Sequence, residues 1–110
     1  MSIVAVSPTP SFDPVADQEA FRALLVAQRA DCVRQRQVIA AEDLASPGDS
    51  VITGRAADLL RTIEEIDAAL ERIELGTYGS CVRCGTTIPG ERLEFRPYAA
   101  ACVPCARSDR

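Results

Sequence analysis

The sequence predicts a mainly α-helical chain, an antiparallel two-helix coiled-coil hairpin followed by a small C-terminal four-cysteine module. Three observations carry that expectation. Ile52, Ala56, Leu59, Ile63, Ile66, Leu70 and Ile73 step by alternating intervals of four and three residues, the repeat of a coiled-coil seam. A cluster of turn formers, Ser46-Pro47-Gly48-Asp49-Ser50, separates this seam from a long stretch upstream that no breaker interrupts. Downstream, four cysteines fall in two C-x-x-C pairs, Cys81 with Cys84 and Cys102 with Cys105.

Taken in order, residues 1–12 hold Pro8 and Pro10 among small residues without any period, and read as a flexible tail. The hairpin is expected over 13–78. Its first helix starts at Asp13, where an Asp N-cap followed by Pro14 at the first helical position satisfies one orphan amide and needs no donor at the next. It runs to about Asp43, the connection forms a tip at about 40–50, and the second helix covers about Val51 to Leu75. Gly54 weakens that helix by up to ~1 kcal/mol relative to Ala, whereas each well-buried Leu or Ile of the seam contributes roughly 1.5–3 kcal/mol. The seam therefore decides the local structure.

The first helix offers a matching but more polar seam: Phe21, Leu25, Gln28, Cys32, Gln35 and Ile39, flanked by Val26 and Val33. A short connection makes the two helices antiparallel. Gln28 and Gln35 either fix the register from within the seam or sit at its edge. Cys32 reads as a packing residue, since no His or Lys lies beside it to lower its pKa. About 25 residues per helix at ~1.5 Å each make a rod roughly 37 Å long. One end carries Glu42, Asp43 and Asp49, and the other carries Arg83, Arg92, Arg96, Arg107 and Arg110.

Residues 79–110 form the third unit. A C-x-x-C pair, 17 intervening residues and a second C-x-x-C pair fit a structural zinc site, with Cys81, Cys84, Cys102 and Cys105 closing a tetrahedron around one Zn²⁺. Gly79 and Gly85 let the backbone curl so that amides face the sulfurs. Four thiolates leave no coordination position for water, so the expected role is structural and the chain is not expected to be an enzyme. Spacing alone leaves iron open as the ion. With Ile88, Leu93, Phe95 and Tyr98 as its main apolar groups, so small a C4 zinc finger draws its folding energy from the metal.

Bulk properties restrict the partners. The net charge of the 110 residues is −4, all 12 cations are Arg, and a tetrathiolate zinc site adds a further −2. Binding to a nucleic-acid backbone draws on clustered cations, so no sequence-specific DNA binding is expected. No apolar run approaches the ~20 residues of a membrane helix, and the reading is of a cytoplasmic chain whose cysteines serve a metal rather than disulfides.

The run Ile63-x-x-Ile66 through Leu70-x-x-Ile73, then Gly76-Thr77-Tyr78-Gly79-x-Cys81-x-x-Cys84-Gly85, and Arg92-Leu93-Glu94-x-Arg96-Pro97-x-Ala99-x-x-Cys102-x-x-Cys105 resembles the DksA/TraR family of bacterial transcription factors. The 17-residue gap is shared with GATA-type fingers; the Gly-x-Tyr-Gly-x-Cys and Arg-Leu-Glu-x-x-Pro segments separate the two. The resemblance implies a regulator that binds RNA polymerase directly, its coiled-coil tip entering the secondary channel toward the active centre and its finger holding the base at the channel rim. It implies tip residues at Glu42, Asp43, Ala45 and Asp49. The family's Asp-x-x-Asp-x-Ala motif is met at Asp43 and Ala45, but Ala40 stands at its first position. Of three basic positions tied to ppGpp in the family, Arg96 matches while Glu65 and Ala106 do not, which argues against a ppGpp response through this chain. The alternative is a zinc-stabilised coiled-coil adaptor that has lost the tip activity and binds another protein.

Overall fold

The computed structural model describes residues 17–108. Its elements are α1 (Gln18–Ala45), α2 (Ser50–Leu75), α3 (Gly90–Phe95) and α4 (Val103–Ser108), with a single antiparallel bridge between Ser80 and Thr87. The two long helices pack on each other as the hairpin expected from the seam, and the principal extents of 67 × 29 × 24 Å are those of a rod. A radius of gyration of 17.7 Å compares with roughly 13 Å for a compact chain of this size. Asp17 precedes α1, and the expected Asp13-Pro14 start, like the 1–12 tail, lies outside the described residues.

The tip follows from its turn chemistry. Gly48 takes a left-handed φ of 84°, and Asp49 caps α2 by accepting from the amides of Val51 and Ile52. At the base, α2 ends on Gly76 at φ 79°, where the amide of Thr77 reaches back to the carbonyl of Arg72 at 2.9 Å. That is the bond pattern of a glycine-terminated helix, satisfying carbonyls the helix leaves open.

Burial along the rod is uneven. Phe21, Leu25 and Cys32 of α1 meet Ile63, Ile66, Ala69 and Ile73 of α2 in a core that continues without a break into the finger through Tyr78, Cys81, Ile88, Leu93, Ala99 and Cys102. Toward the tip only Ile39 is fully buried, and Ile52, Ala56 and Leu59 are half-exposed. Ion pairs among the described residues also tie the helices together outside the seam: Arg22 with Glu74 at 2.8 Å, Arg29 with Asp67 at 2.6 Å and Arg55 with Glu42 at 3.2 Å. All are solvent-facing, so they add little to stability and serve mainly to hold register.

The packing settles one reading that the sequence leaves open, and corrects one expectation. Gln35 does not enter the seam: it is exposed and donates to Asp31 at 2.7 Å, while Gln28 is half-buried with its Oε1 enclosed and without a hydrogen-bond partner. In the finger, Phe95 is not a core residue, being 91% exposed, and Tyr98 is half-buried; Tyr78 and Pro97 fill the space instead. The reason is the six-residue length of α3, which turns only Leu93 inward and leaves the residue two places later on the outer side.

Candidate metal centre

Residues 79–88 build the first half of the centre. Left-handed Gly79 and Gly85, with φ of 92° and 79°, bracket a tight knuckle in which the amide of Gly85 donates to the carbonyl of Cys81 and the amide of Ile88 to that of Gly79. The second half begins where α4 opens: the amide of Ala106 bonds the carbonyl of Cys102 at 2.9 Å, placing Cys102 and Cys105 on one turn. A bond of 2.9 Å from the amide of Val82 to the carbonyl of Ala100 fastens the halves together.

This brings the four Sγ atoms of Cys81, Cys84, Cys102 and Cys105 within 4.8 Å of one another. Cys84 and Cys102 lie 3.7 Å apart, against an edge of about 3.8 Å for a tetrahedron with ~2.3 Å Zn–S bonds. The donor set and the spacing fit one zinc ion. The amide of Arg83 points at Cys81 Sγ from 3.4 Å, and Thr86 Oγ1 lies 3.2 Å from Cys84 Sγ, where its hydroxyl donates once the sulfur is a thiolate. Such donors orient the sulfurs and spread their charge.

The sulfurs differ in ionisation. Backbone amides at Cys102 and Cys84 draw Cys81 down to about 6, and the side chains of Cys102, Cys81 and Cys84 push Cys105 up to about 12. Four like charges in so small a volume require a cation, and a divalent ion of thiolate preference supplies it. Cys32, the fifth cysteine, sits in the hairpin core and its thiol is pushed up by burial and by neighbouring Asp31, as suits a packing residue.

Three further contacts hold the finger, two of them seating it on the hairpin and one, from Arg92, bracing it internally. The Tyr78 hydroxyl donates to the carbonyl of Pro97 at 2.8 Å, Arg92 Nε to that of Ala101 at 3.0 Å, and Arg72 of α2 to that of Ala99 at 3.4 Å. Sequence reasoning missed all three, because nothing in Tyr78 or Arg72 announces a carbonyl partner some twenty residues away. The three positions Glu65, Arg96 and Ala106 do converge, on one pocket of about 260 Å³ that Arg72 and Arg92 also line.

At the opposite end the acids divide. Glu42 is half-buried and engaged by Arg55, and Asp49 is occupied as the cap of α2. Asp43 is exposed and borders an open notch with Arg36, Ala40, Thr53 and Ala56, while Ala45 is exposed at the last residue of α1. Among the described residues no helix is long and apolar enough to cross a membrane.

Residues 76–109 match a family model described as the prokaryotic dksA/traR C4-type zinc finger. The fold is similar to that of the transcription factor DksA2 from Pseudomonas aeruginosa, with a TM-score of 0.62 and 32% identity over 86% of this chain and 83% of that one. An uncharacterised protein of Aquifex aeolicus is 53% identical over 47 residues, 43% of this chain and 32% of its own length. The RNA polymerase-binding transcription factor DksA of Caulobacter vibrioides is 41% identical over 64 residues, 57% of this chain and 45% of its own length. The chain thus spans less than half the length of the curated relatives it matches.

Proposed function

The chain belongs to the DksA/TraR family, and from that premise we propose that it regulates transcription in the bacterial cytoplasm by binding RNA polymerase directly through the secondary channel. The observation that carries this reading is the polarity of the rod: an exposed carboxylate, Asp43, at one end of a 67 Å molecule and a C4 finger at the other. The hairpin supplies reach, Asp43 the contact near the active centre, and the zinc finger a rigid base at the channel rim. Cys81, Cys84, Cys102 and Cys105 hold the ion, which supplies structure and leaves no site for a reacting water. Glu42 and Asp49 serve the tip indirectly, by holding α1 to α2 and by starting α2.

Open-complex lifetime on core polymerase with an initiation factor tests the proposal. Wild type binds and shortens the lifetime; Asp43→Asn binds and does not. A wild-type protein that fails to bind polymerase removes the reading. In this proposal ppGpp does not act through the chain, since Glu65 opposes a polyphosphate in the pocket where Arg96 remains, and adding ppGpp leaves the measured lifetime unchanged.

One observation favours a second reading, a coiled-coil adaptor for another protein. Ala40 replaces the first acid of the tip motif, and two of the remaining three acids have local partners. Binding to polymerase with no effect on lifetime in either variant supports it.

A further inference from the structure

The four cysteines of the centre are held unequally. Cys81 and Cys102 are core residues, at 3% and 8% exposure, and Cys105 is half-buried against the same core, whereas Cys84 is exposed and stands outside that cluster. Its neighbours share the position. Every residue from Val82 to Thr87 is exposed, and a Cβ built on Gly85 meets nothing within 4 Å. Cys84 therefore lies at the crest of a loop in solvent, with open space beside it.

Below that crest the loop is closed by bonds that do not involve Cys84. The amide of Cys81 donates to the carbonyl of Thr86 at 2.8 Å, the amide of Val82 to that of Ala100 at 2.9 Å, and the amide of Ile88 to that of Gly79 at 2.7 Å. The sulfurs also differ in their donors. Cys81 Sγ is met by the amide of Arg83 at 3.4 Å, Cys84 Sγ by the hydroxyl of Thr86, a side chain on the same exposed loop, at 3.2 Å. Freeing Cys84 from an ion thus breaks no core contact and none of the stem bonds, and amounts to a local opening. Freeing Cys81 or Cys102 opens the core that joins the finger to the hairpin.

We propose that Cys84 is the exchangeable ligand of the centre, and that a small thiol from solution takes its place while Cys81, Cys102 and Cys105 keep both the ion and the fold. The donor set fixes the chemical class, because an ion already held by three thiolates favours a fourth sulfur over an oxygen ligand. In the exchange the S–H proton of the incoming thiol passes to Cys84 Sγ as one metal–sulfur bond forms and the other breaks. No electron is transferred, and the charge at the ion is unchanged. The finger then does more than hold structure: through one exposed edge it passes its zinc to a thiol-bearing acceptor. This exchange is independent of the polymerase reading.

Cobalt(II) is the probe, since its absorption in a tetrahedral site reports how many thiolates bind it. Without oxygen, Cys84→Ala is expected to take up one cobalt with a three-thiolate spectrum, and added 2-mercaptoethanol to restore the four-thiolate spectrum of wild type. Cys102→Ala is expected to bind cobalt roughly tenfold or more weakly than Cys84→Ala and to show no such rescue. In zinc-loaded wild type, transfer of the ion to a chromogenic chelator speeds up in proportion to the 2-mercaptoethanol added, while the amides of α1 and α2 keep their protection from hydrogen exchange. If Cys84→Ala binds cobalt no better than Cys102→Ala, or its spectrum ignores the thiol, Cys84 is not the exchangeable ligand. A wild-type transfer rate independent of thiol also overturns the proposal, because release then waits on the opening of the finger itself.

Discussion

The phenol of Tyr78 donates to the carbonyl of Pro97 across 2.8 Å, joining the short segment just past the end of α2 to the loop that leads into the second cysteine pair. The same ring stacks obliquely on Phe21 of α1, with centroids 5.6 Å apart. One buried side chain thereby touches the start of α1, the exit of α2 and the finger. The Pro97 carbonyl is enclosed with it, since Pro97 is among the most buried residues.

Removing the hydroxyl leaves that carbonyl without its donor in a site closed to solvent. Tyr78→Phe is expected to cost about 1–3 kcal/mol, the penalty for a buried polar group that loses its partner. Urea unfolding of the zinc-loaded protein checks this, and an unchanged midpoint contradicts it.

Burial pushes Tyr78 up to about 12 from an ordinary value near 10. A group whose folded pKa is raised contributes stability that is complete below the unfolded value and is lost as pH rises through the folded one. Stability at fixed temperature is therefore expected to fall between about pH 10 and 12 as the unfolded chain releases this proton first. Comparing wild type with Tyr78→Phe across that range isolates the effect, because the variant lacks the group.

Cys81 and Cys102 belong to the same core as Ile66 and Ile73, so metal loss reaches beyond the finger. Chelation, or Cys102→Ser, is expected to lower the thermal midpoint and to expose the amides of α3 and α4 to hydrogen exchange, while the tip half of the hairpin keeps its protection. Equal loss of protection along the whole rod contradicts the gradient of burial.

The tip acids separate by their partners. Asp49→Ala is expected to destabilise the fold by about 0.5–2 kcal/mol through the loss of the α2 cap. Asp43→Asn touches an exposed carboxylate and is expected to change stability by less than about 0.5 kcal/mol. Chemical unfolding of both variants, set beside their effects on open-complex lifetime, distinguishes the acid that builds the tip from the acid proposed to act there.

Gly54 lies in the interior of α2, and a Cβ built there meets nothing within 4 Å. Gly54→Ala is expected to stabilise the tip by up to about 1 kcal/mol, since Ala loses less backbone freedom on forming helix and displaces nothing. Slower exchange of amides near 50–58 reports it; accelerated exchange contradicts it.

Much of this molecule was legible in its residues. The four-three stepping from Ile52 to Ile73 required a helix with one sticky stripe, the Pro-Gly turn required the chain to fold back, and the paired cysteines required a metal, because each depends on local spacing alone. The same locality made the cap at Asp49 foreseeable, though not that capping would occupy a carboxylate also expected to act at the tip. Tertiary structure decided what depends on distance in space. It carried the core through Tyr78 into the finger, left Gln35 outside the seam, and paired Glu42 with Arg55 while exposing Asp43. It also turned Phe95 outward, because one short helix has a single inward face and Leu93 occupies it.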